Sequence, residues 1–172
     1  MPPLDALHGV LGVVLSGLLV WAAASDIAAR RIPNFAVLAI LGVYGVWAVI
    51  GRGAGLGSAV AAAGIGFAAG YGLYLFKWMG AGDVKLFAAT ALFAGLAYLP
   101  LFALATVLSG GAIAAASLAM TPRRAAVMLA LGGKGGPGRE IPYGVAIAVA
   151  GAVVFWGGLT GLLPANILAP HR

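Results

Sequence analysis

Long apolar runs without charge occupy most of this chain and constrain its fold more than any other feature. A helix needs about 20 apolar residues to cross the hydrocarbon core of a bilayer. Six stretches approach that length: 7–25, 35–50, 56–76, 86–99, 101–120 and 143–163. Because 63% of the 172 residues are hydrophobic and only 8% are charged, a water-soluble fold could not hide the apolar surface. The sequence therefore predicts an integral membrane protein with a single domain over residues 1–172.

The predicted spans should be closely packed helices. They are apolar on every face, whereas the strands of a membrane barrel alternate in polarity, and a helix satisfies its own backbone groups in lipid. We therefore predict an all-α polytopic bundle of about six transmembrane helices, with Pro100 separating the fourth span from the fifth. Small residues allow close helix approach, and three glycine pairs have the required spacing: Gly53 and Gly57, Gly66 and Gly70, and Gly157 and Gly161.

Basic residues follow alternate spans, which predicts the orientation of the bundle. Eight of the ten come after the first, third and fifth spans: Arg30, Arg31, Lys77, Lys85, Arg123, Arg124, Lys134 and Arg139. The positive-inside rule places these loops in the cytoplasm and both termini outside it. The net charge of +6 then reflects topology and requires no nucleic-acid partner. An interfacial helix is predicted over residues 125–131, lying on the inner leaflet of the lipid bilayer.

The residue types that the sequence lacks exclude several kinds of chemistry. The chain has no cysteine, which removes disulfides, thiolate zinc sites and cysteine nucleophiles. Its two histidines, His8 and His171, stand near opposite ends, so a histidine metal cluster is not expected. His8 is predicted to be an interfacial polar residue at the outer face. We therefore expect neither a metal nor another cofactor.

Two of the four acidic residues are candidates for function. Asp5 and Glu140 are predicted to be solvated in the outer tail and the inner loop. Asp26 and Asp83 stand at the inner ends of spans. An ionisable group is energetically costly there and is therefore a candidate for a functional role. Each also has a purely structural interpretation. Asp26 could pair with Arg30 one turn later, and Asp83 could be the N-cap of the following helix.

The residues around the two aspartates could shape a site. Asn34 is predicted to be the N-cap of the second helix, which would hold the turn after Asp26 in place. Gly80 and Gly82 permit close backbone approach and unusual dihedral angles before Asp83, so a substrate strand could lie along them. Lys85 could balance local charge or be another inward-facing cation.

Two carboxylates at the same face of a membrane can act together. Close carboxylates cannot both ionise easily and therefore share one proton. Such a pair can activate water and protonate an amide leaving group, which hydrolyses a peptide without a metal, a serine or a thiol. The positive end of the fourth helix would favour the charged form of Asp83, which would make Asp83 the base and Asp26 the acid.

Three segments together resemble the type IV prepilin peptidases, membrane aspartic proteases of the GxGD type. They are residues 26–34, with Asp26 and the run Arg-Ile-Pro-Asn, residues 80–85, with Gly-Ala-Gly-Asp-Val-Lys, and residues 141–144, with Ile-Pro-Tyr-Gly. The resemblance implies that Asp26 and Asp83 are the catalytic aspartates. Gly80 and Gly82 match the motif glycines, and a segment near the active site is matched by three further residues: Pro142, Tyr143 and Gly144.

The resemblance also implies a substrate and a location. Members of this family cleave the leader peptide of type IV pilin-like precursors at the cytoplasmic face of the bacterial inner membrane. Larger members carry a cysteine-containing insert and also methylate the new amino terminus. Because the first inner loop is short and cysteine is absent here, methyltransferase activity is not expected. The compact form is similar to the peptidases of tight-adherence (Flp) pili.

Two other classes of function stay open at the level of sequence. A cation- or proton-coupled transporter also uses paired acids and glycine-broken helices, but its acids should lie near the bilayer midplane. A non-catalytic assembly factor for a pilus or secretion system would tolerate asparagine at positions 26 and 83. The sequence leaves open which precursor is cleaved, the oligomeric state and whether a lid covers the site.

Overall fold

The computed structural model describes residues 3–51, 53, 55–119 and 143–163, and helices make up most of them. The helices are α1 (Pro3–Ala29), α2 (Asn34–Ile50), α3 (Leu56–Leu75), α4 (Ala81–Ala119) and α5 (Tyr143–Leu159). Within those ranges no strand occurs, which confirms the predicted all-α class. The interfacial helix predicted over residues 125–131 lies outside the described residues, as do Glu140, Pro142 and His171.

The described helices have the length and surface of membrane helices. Three stretches are long and apolar enough to cross a membrane: Ala6–Ala29, Leu56–Leu75 and Ala81–Ala116. The helices α2 and α5 are shorter and also apolar. Large apolar side chains point outward, with exposed fractions of 64% for Val13, 63% for Leu38 and 67% for Val107. Such a surface suits lipid and not water.

Helix α4 is folded back on itself at Gly95. This residue has φ 60° and ψ −178°, a conformation that glycine adopts readily and other residues rarely do. The rings of Phe87 and Phe102 stack with centroids 4.6 Å apart, although fifteen residues of straight helix would separate them by about 22 Å. The chain therefore reverses at Gly95 into two antiparallel segments, 81–94 and 96–119.

The reversal at Gly95 corrects the predicted position of the break. Two helical segments were expected here, but Pro100 was expected to separate them. Pro100 lies inside the helix, soon after the reversal. Its missing N–H group removes one backbone hydrogen bond, but the helix continues through it. Only Gly95 adopts the backbone conformation that turns the chain.

The fold-back is held by a hydrogen bond from α3. The first residue after the break, Leu96, donates its backbone N–H to the hydroxyl oxygen of Ser58 over 2.9 Å. The N–H groups of the first helical turn have no acceptor within their own helix, and lipid offers them none. Ser58 supplies an acceptor for the N–H of Leu96, which the chain reversal has left without a carbonyl group in the preceding turn.

Helix α3 packs against α4 through two glycines one turn apart. A Cβ atom at Gly66 would lie 3.0 Å from Phe87 Cε1, and one at Gly70 would lie 3.2 Å from Val84 Cγ1. This predicted glycine pair therefore allows close helix approach. The other two pairs are not used in this way, since a Cβ would have open space among the described residues at three of their glycines: Gly53, Gly57 and Gly161.

Helix α5 lies between α1 and both segments of α4. A Cβ atom at Gly151 would lie 2.6 Å from Thr90 Cγ2, 3.3 Å from Leu19 Cδ1 and 3.9 Å from Phe102 Cε2. Leu19 belongs to α1, Thr90 to the first segment of α4 and Phe102 to the second. A single glycine thus allows three helical segments to meet the middle of α5.

The contacts of α5 also define helix directions. Gly110, two turns after Phe102, faces the ring of Tyr143 at the start of α5, where a Cβ would lie 3.3 Å from Tyr143 Cε1. Since Phe102 faces Gly151, the second segment of α4 runs antiparallel to α5. The first segment of α4 is antiparallel to the second and therefore runs parallel to α5.

His8 lies inside the bundle, and its predicted position at the outer membrane interface stays a prediction. Only 5% of its surface is exposed, and its ring packs edge to face on Trp47 with centroids 4.3 Å apart. Trp47 in turn packs against Phe155 and Phe93. The imidazole therefore belongs to an aromatic cluster in which α1 contacts α2.

We expect Ser58→Ala to lower the free energy of unfolding by about 1 kcal/mol, the typical effect of removing a hydroxyl that caps a helix. The loss follows because the N–H group of Leu96 would face lipid without an acceptor. Denaturation with sodium dodecyl sulfate in mixed micelles measures the change. Ser109→Ala in the second segment of α4 is the control and should change stability by less than about 0.5 kcal/mol. Equal effects of the two substitutions would contradict the capping role.

Candidate active site

Asp26 lies near the end of α1 and is buried. Its side chain is 7% exposed, and its Oδ2 accepts a hydrogen bond of 2.8 Å from the backbone N–H of Gly144. Helix α1 ends three residues later, because Arg30 adopts the left-handed conformation with φ 53°. The N–H of Arg30 bonds the carbonyl oxygen of Asp26 over 3.0 Å, a common way to end a helix. The Asp26 carboxylate thus lies at one end of the bundle.

Asp83 lies in the first turn of α4, and its own helix orients it. Its Oδ2 accepts a hydrogen bond of 3.2 Å from the backbone N–H of Gly80. The carbonyl oxygen of Gly80 accepts the N–H of Val84 over 3.1 Å, which makes Gly80 the N-cap. The alternative in which Asp83 is the N-cap is therefore wrong. Asp83 is the third helical residue and bonds back to the cap, as the acidic member of a capping box does.

The packing of α1 on α5 places Asp26 beside Gly144. Leu19 packs at Gly151, and the Asp26 carboxylate bonds the amide of Gly144. Asp26 lies seven residues after Leu19 in α1, whereas Gly144 lies seven residues before Gly151 in α5. Seven residues are nearly two helical turns, or about 10 Å, and return to the same face. The two helices are therefore antiparallel, and Asp26 faces the start of α5.

The packing of α4 on α5 places Asp83 at the same end of the bundle. Thr90 packs at Gly151, and Asp83 and Gly144 each precede these residues by seven positions. Because the first segment of α4 runs parallel to α5, both positions lie about 10 Å from the Thr90 contact in the same direction. Asp83 lies on the face of α4 that Thr90 presents to α5. The structure therefore brings both aspartates to one end of α5.

The two sequence segments that contain the aspartates contact each other directly. A Cβ atom at Gly82 would lie 3.2 Å from Ile32 Cβ and 3.5 Å from the Ile32 backbone nitrogen. The Lys85 ammonium donates a hydrogen bond of 3.1 Å to Asn34 Oδ1. The loop that follows α1 is thus joined to the first turns of α4. The predicted N-cap role of Asn34 is wrong, because Asn34 is the first residue of α2 and Pro33 takes the N-cap position.

Gly80 and Gly82 are required by contacts within the chain. Neither has positive φ, so the unusual dihedral angles expected from the sequence do not occur at these positions. A Cβ at Gly80 would lie 2.9 Å from Asp83 Oδ2, and Gly82 accommodates Ile32. Close approach is therefore the property that both glycines supply. A substrate strand along this segment stays a prediction.

Tyr143 and Gly144 belong to the segment predicted to lie near the site, and they make two separate contacts. Tyr143 packs its ring on Gly110 of α4, whereas the N–H group of Gly144 bonds Asp26. Pro142 lies outside the described residues. The sequence predicts Gly144 near the site but does not indicate that its backbone amide is the partner of Asp26. The available signal was a glycine in the first turn of an otherwise apolar helix.

Positive charge surrounds this end of the bundle. Arg30 and Arg31 are exposed after α1, Lys77 is exposed after α3, and Lys85 is exposed in α4. Lys77 lies two residues after the end of α3 and has φ 59°, again a left-handed residue just beyond a helix. The buried Asp26, the partly buried Asp83 and four exposed cations therefore occupy the same end of the bundle.

Comparison with known proteins identifies a family. The model of the type IV leader peptidase family matches residues 13–115, which is more than half of the chain. The match includes Asp26 and the segment 80–85, and it ends before the segment 141–144. Comparisons with curated proteins and with solved structures find no match. The predicted resemblance to prepilin peptidases is confirmed by the family match.

We expect Gly82→Ala to lower the free energy of unfolding by about 1–3 kcal/mol, the usual effect of overpacking. The added methyl group would press on Ile32 and separate the loop after α1 from α4. Thermal unfolding in detergent measures the change. Gly72→Ala is the matched control, since a Cβ there would meet nothing within 4 Å among the described residues, and alanine favours a helix. A variant at position 82 as stable as this control would contradict the tight contact.

Proposed function

Because the chain belongs to the type IV leader peptidase family, we propose that it is a membrane-embedded aspartic endopeptidase. Its substrate is a type IV pilin-like precursor, and its catalytic residues are Asp26 and Asp83. The observation that carries this proposal is the convergence of two acidic residues from distant helices at one end of α5. One carboxylate accepts an N–H of the first turn of α5, and the other accepts the N–H of the N-cap residue of α4.

The two carboxylates divide the chemistry of amide hydrolysis between them. One is ionised and takes a proton from water as the water oxygen attacks the carbonyl carbon of the substrate. The other is protonated and gives its proton to the reacting amide, and the leaving nitrogen departs as an amine when the C–N bond breaks. A pair that shares one proton provides both states at once.

The charges at this end of the bundle support an orientation. Arg30, Arg31, Lys77 and Lys85 lie at the end that carries the aspartates, and cations concentrate on the cytoplasmic side of membrane proteins. We therefore assign the active site to the cytoplasmic face of the bacterial inner membrane. With the two segments of α4 counted separately, the helices provide six spans with both termini outside.

The substrate follows from the family and from this orientation. Family members remove a short basic leader that precedes an apolar helix, and the proposed site lies where such a helix would leave the membrane. The absence of cysteine from the chain supports cleavage without methylation. A precursor of the tight-adherence (Flp) type fits the compact form of the enzyme.

The depth of the aspartates favours a peptidase over a transporter. Asp26 lies three residues before the end of α1, and Asp83 lies in the first turn of α4. A coupled transporter holds its acids near the middle of the membrane. Carboxylates at helix ends instead lie close to the aqueous side from which a peptide would approach.

We expect Asp26→Asn and Asp83→Asn each to lower precursor cleavage by roughly 100-fold or more, since each removes one proton-transfer group. Both variants should stay folded, because the amide oxygen of asparagine can accept the same backbone N–H bond. Single-turnover cleavage in proteoliposomes measures the loss, with a peptide that has a basic leader, a glycine and a following apolar helix. Asp5→Asn is the matched control and should keep full activity. Wild-type cleavage rates in either variant would exclude the two-aspartate mechanism, whereas no cleavage by the wild-type protein itself would favour an assembly factor.

The orientation can be tested with single cysteines, because the chain has none of its own. We expect Gly57→Cys, at the end of α3 away from the aspartates, to react with a membrane-impermeant maleimide in intact spheroplasts. Lys77→Cys, at the other end of α3, should react only after the membrane is permeabilised. Both positions are exposed, so access to the reagent decides the outcome. The reverse labelling pattern would contradict a cytoplasmic site.

A further inference from the structure

Gly144 makes a contact with Asp26 that leaves no room for a side chain. Its N–H lies 2.8 Å from Asp26 Oδ2. A Cβ atom at this position would lie 2.8 Å from Oδ2, 3.0 Å from Cβ and 3.1 Å from Cγ of the same aspartate. Carbon atoms do not approach an oxygen that closely without displacing it. Any other residue at position 144 would therefore push the carboxylate away.

The amide of Gly144 is held on a rigid support. Helix α5 is packed at Gly151 against α1 and both segments of α4, and Tyr143 is packed against Gly110. The N–H groups of a first helical turn point outward along the axis and have no acceptor within the helix. Asp26 supplies that acceptor from another helix. The bond therefore fixes the carboxylate relative to α5 and caps the helix as well.

The two aspartates differ in what orients them. Asp83 accepts the N–H of Gly80, three residues earlier in its own segment. Asp26 accepts an N–H that is 118 residues away in sequence. The orientation of Asp83 is thus set by one helical turn, whereas that of Asp26 depends on the placement of α5.

We infer that Gly144 is a positioning residue for the proposed reaction. Its N–H and its lack of a side chain together hold the Asp26 carboxylate in the orientation that serves hydrolysis. This inference rests on the proposed function, and it assigns to α5 the task of setting where Asp26 lies relative to Asp83. A displacement of about 1 Å in a catalytic group can lower a rate by about 100-fold.

The first experiment compares two alanine substitutions on α5. Gly144→Ala should lower kcat by roughly 10- to 100-fold and leave KM within about twofold, since substrate binding is retained and geometry is lost. Gly157→Ala is the matched control, because its Cβ would lie 3.0 Å from Leu163 Cγ, about 20 Å along the helix from Gly144. Its kcat should equal that of wild type. A loss of kcat in Gly144→Ala no larger than in the control would overturn the inference.

The second experiment removes the N–H without adding any atom beside Asp26. Glycolic acid at position 144 replaces the amide by an ester, which should lower kcat by about tenfold while the fold is kept. Infrared difference spectra of protein labelled with ¹³C-aspartate, with Asp26→Asn as the reference, isolate the Asp26 band. The ester should move this band, and an unmoved band would overturn the inference even if Gly144→Ala fails to fold. Because the band does not depend on cleavage, an inactive wild type would count against the proposed function alone.

Discussion

Close contact between helices at glycine positions is the constraint on which the packing of α1, α3, α4 and α5 depends. Apolar side chains gain little by moving from lipid to protein, so helices in a membrane associate through tight packing and hydrogen bonds. Gly151 brings three helical segments to the middle of α5, and Gly82 brings the loop after α1 to α4. The same contacts carry Asp26 and Asp83 to one end. Packing and the candidate site therefore have a common origin.

Backbone N–H groups at helix starts hold both aspartates. Asp83 uses the cap of its own helix, and Asp26 uses the first turn of a distant one. The positive end of the fourth helix predicts that Asp83 is the base. Since both carboxylates lie at such an end, this criterion does not separate them. A proton shared by such a pair of carboxylates would belong to the pair and not to one residue.

The sequence was sufficient to predict the features that follow from residue type. The all-α class comes from apolar runs, and Asp26 and Asp83 were chosen because charge is costly at the ends of spans. Contacts between distant segments could not be predicted from local patterns. Asn34 has the composition of an N-cap but bonds Lys85, and Asp83 bonds back to Gly80. His8 is polar by type and is nevertheless buried against Trp47, because the aromatic cluster that surrounds it forms only in the folded bundle.

The reversal at Gly95 has a consequence for how the chain enters a membrane. The segment 81–94 rises only about 21 Å at 1.5 Å per residue, which is shorter than the hydrocarbon core of about 30 Å. It therefore spans the bilayer only where the bilayer is locally thinner, and no polar loop separates it from the segment 96–119. The two segments should therefore be inserted together as one helical hairpin, without translocation of any hydrophilic stretch. The bilayer would be locally thinned around the apex of this hairpin.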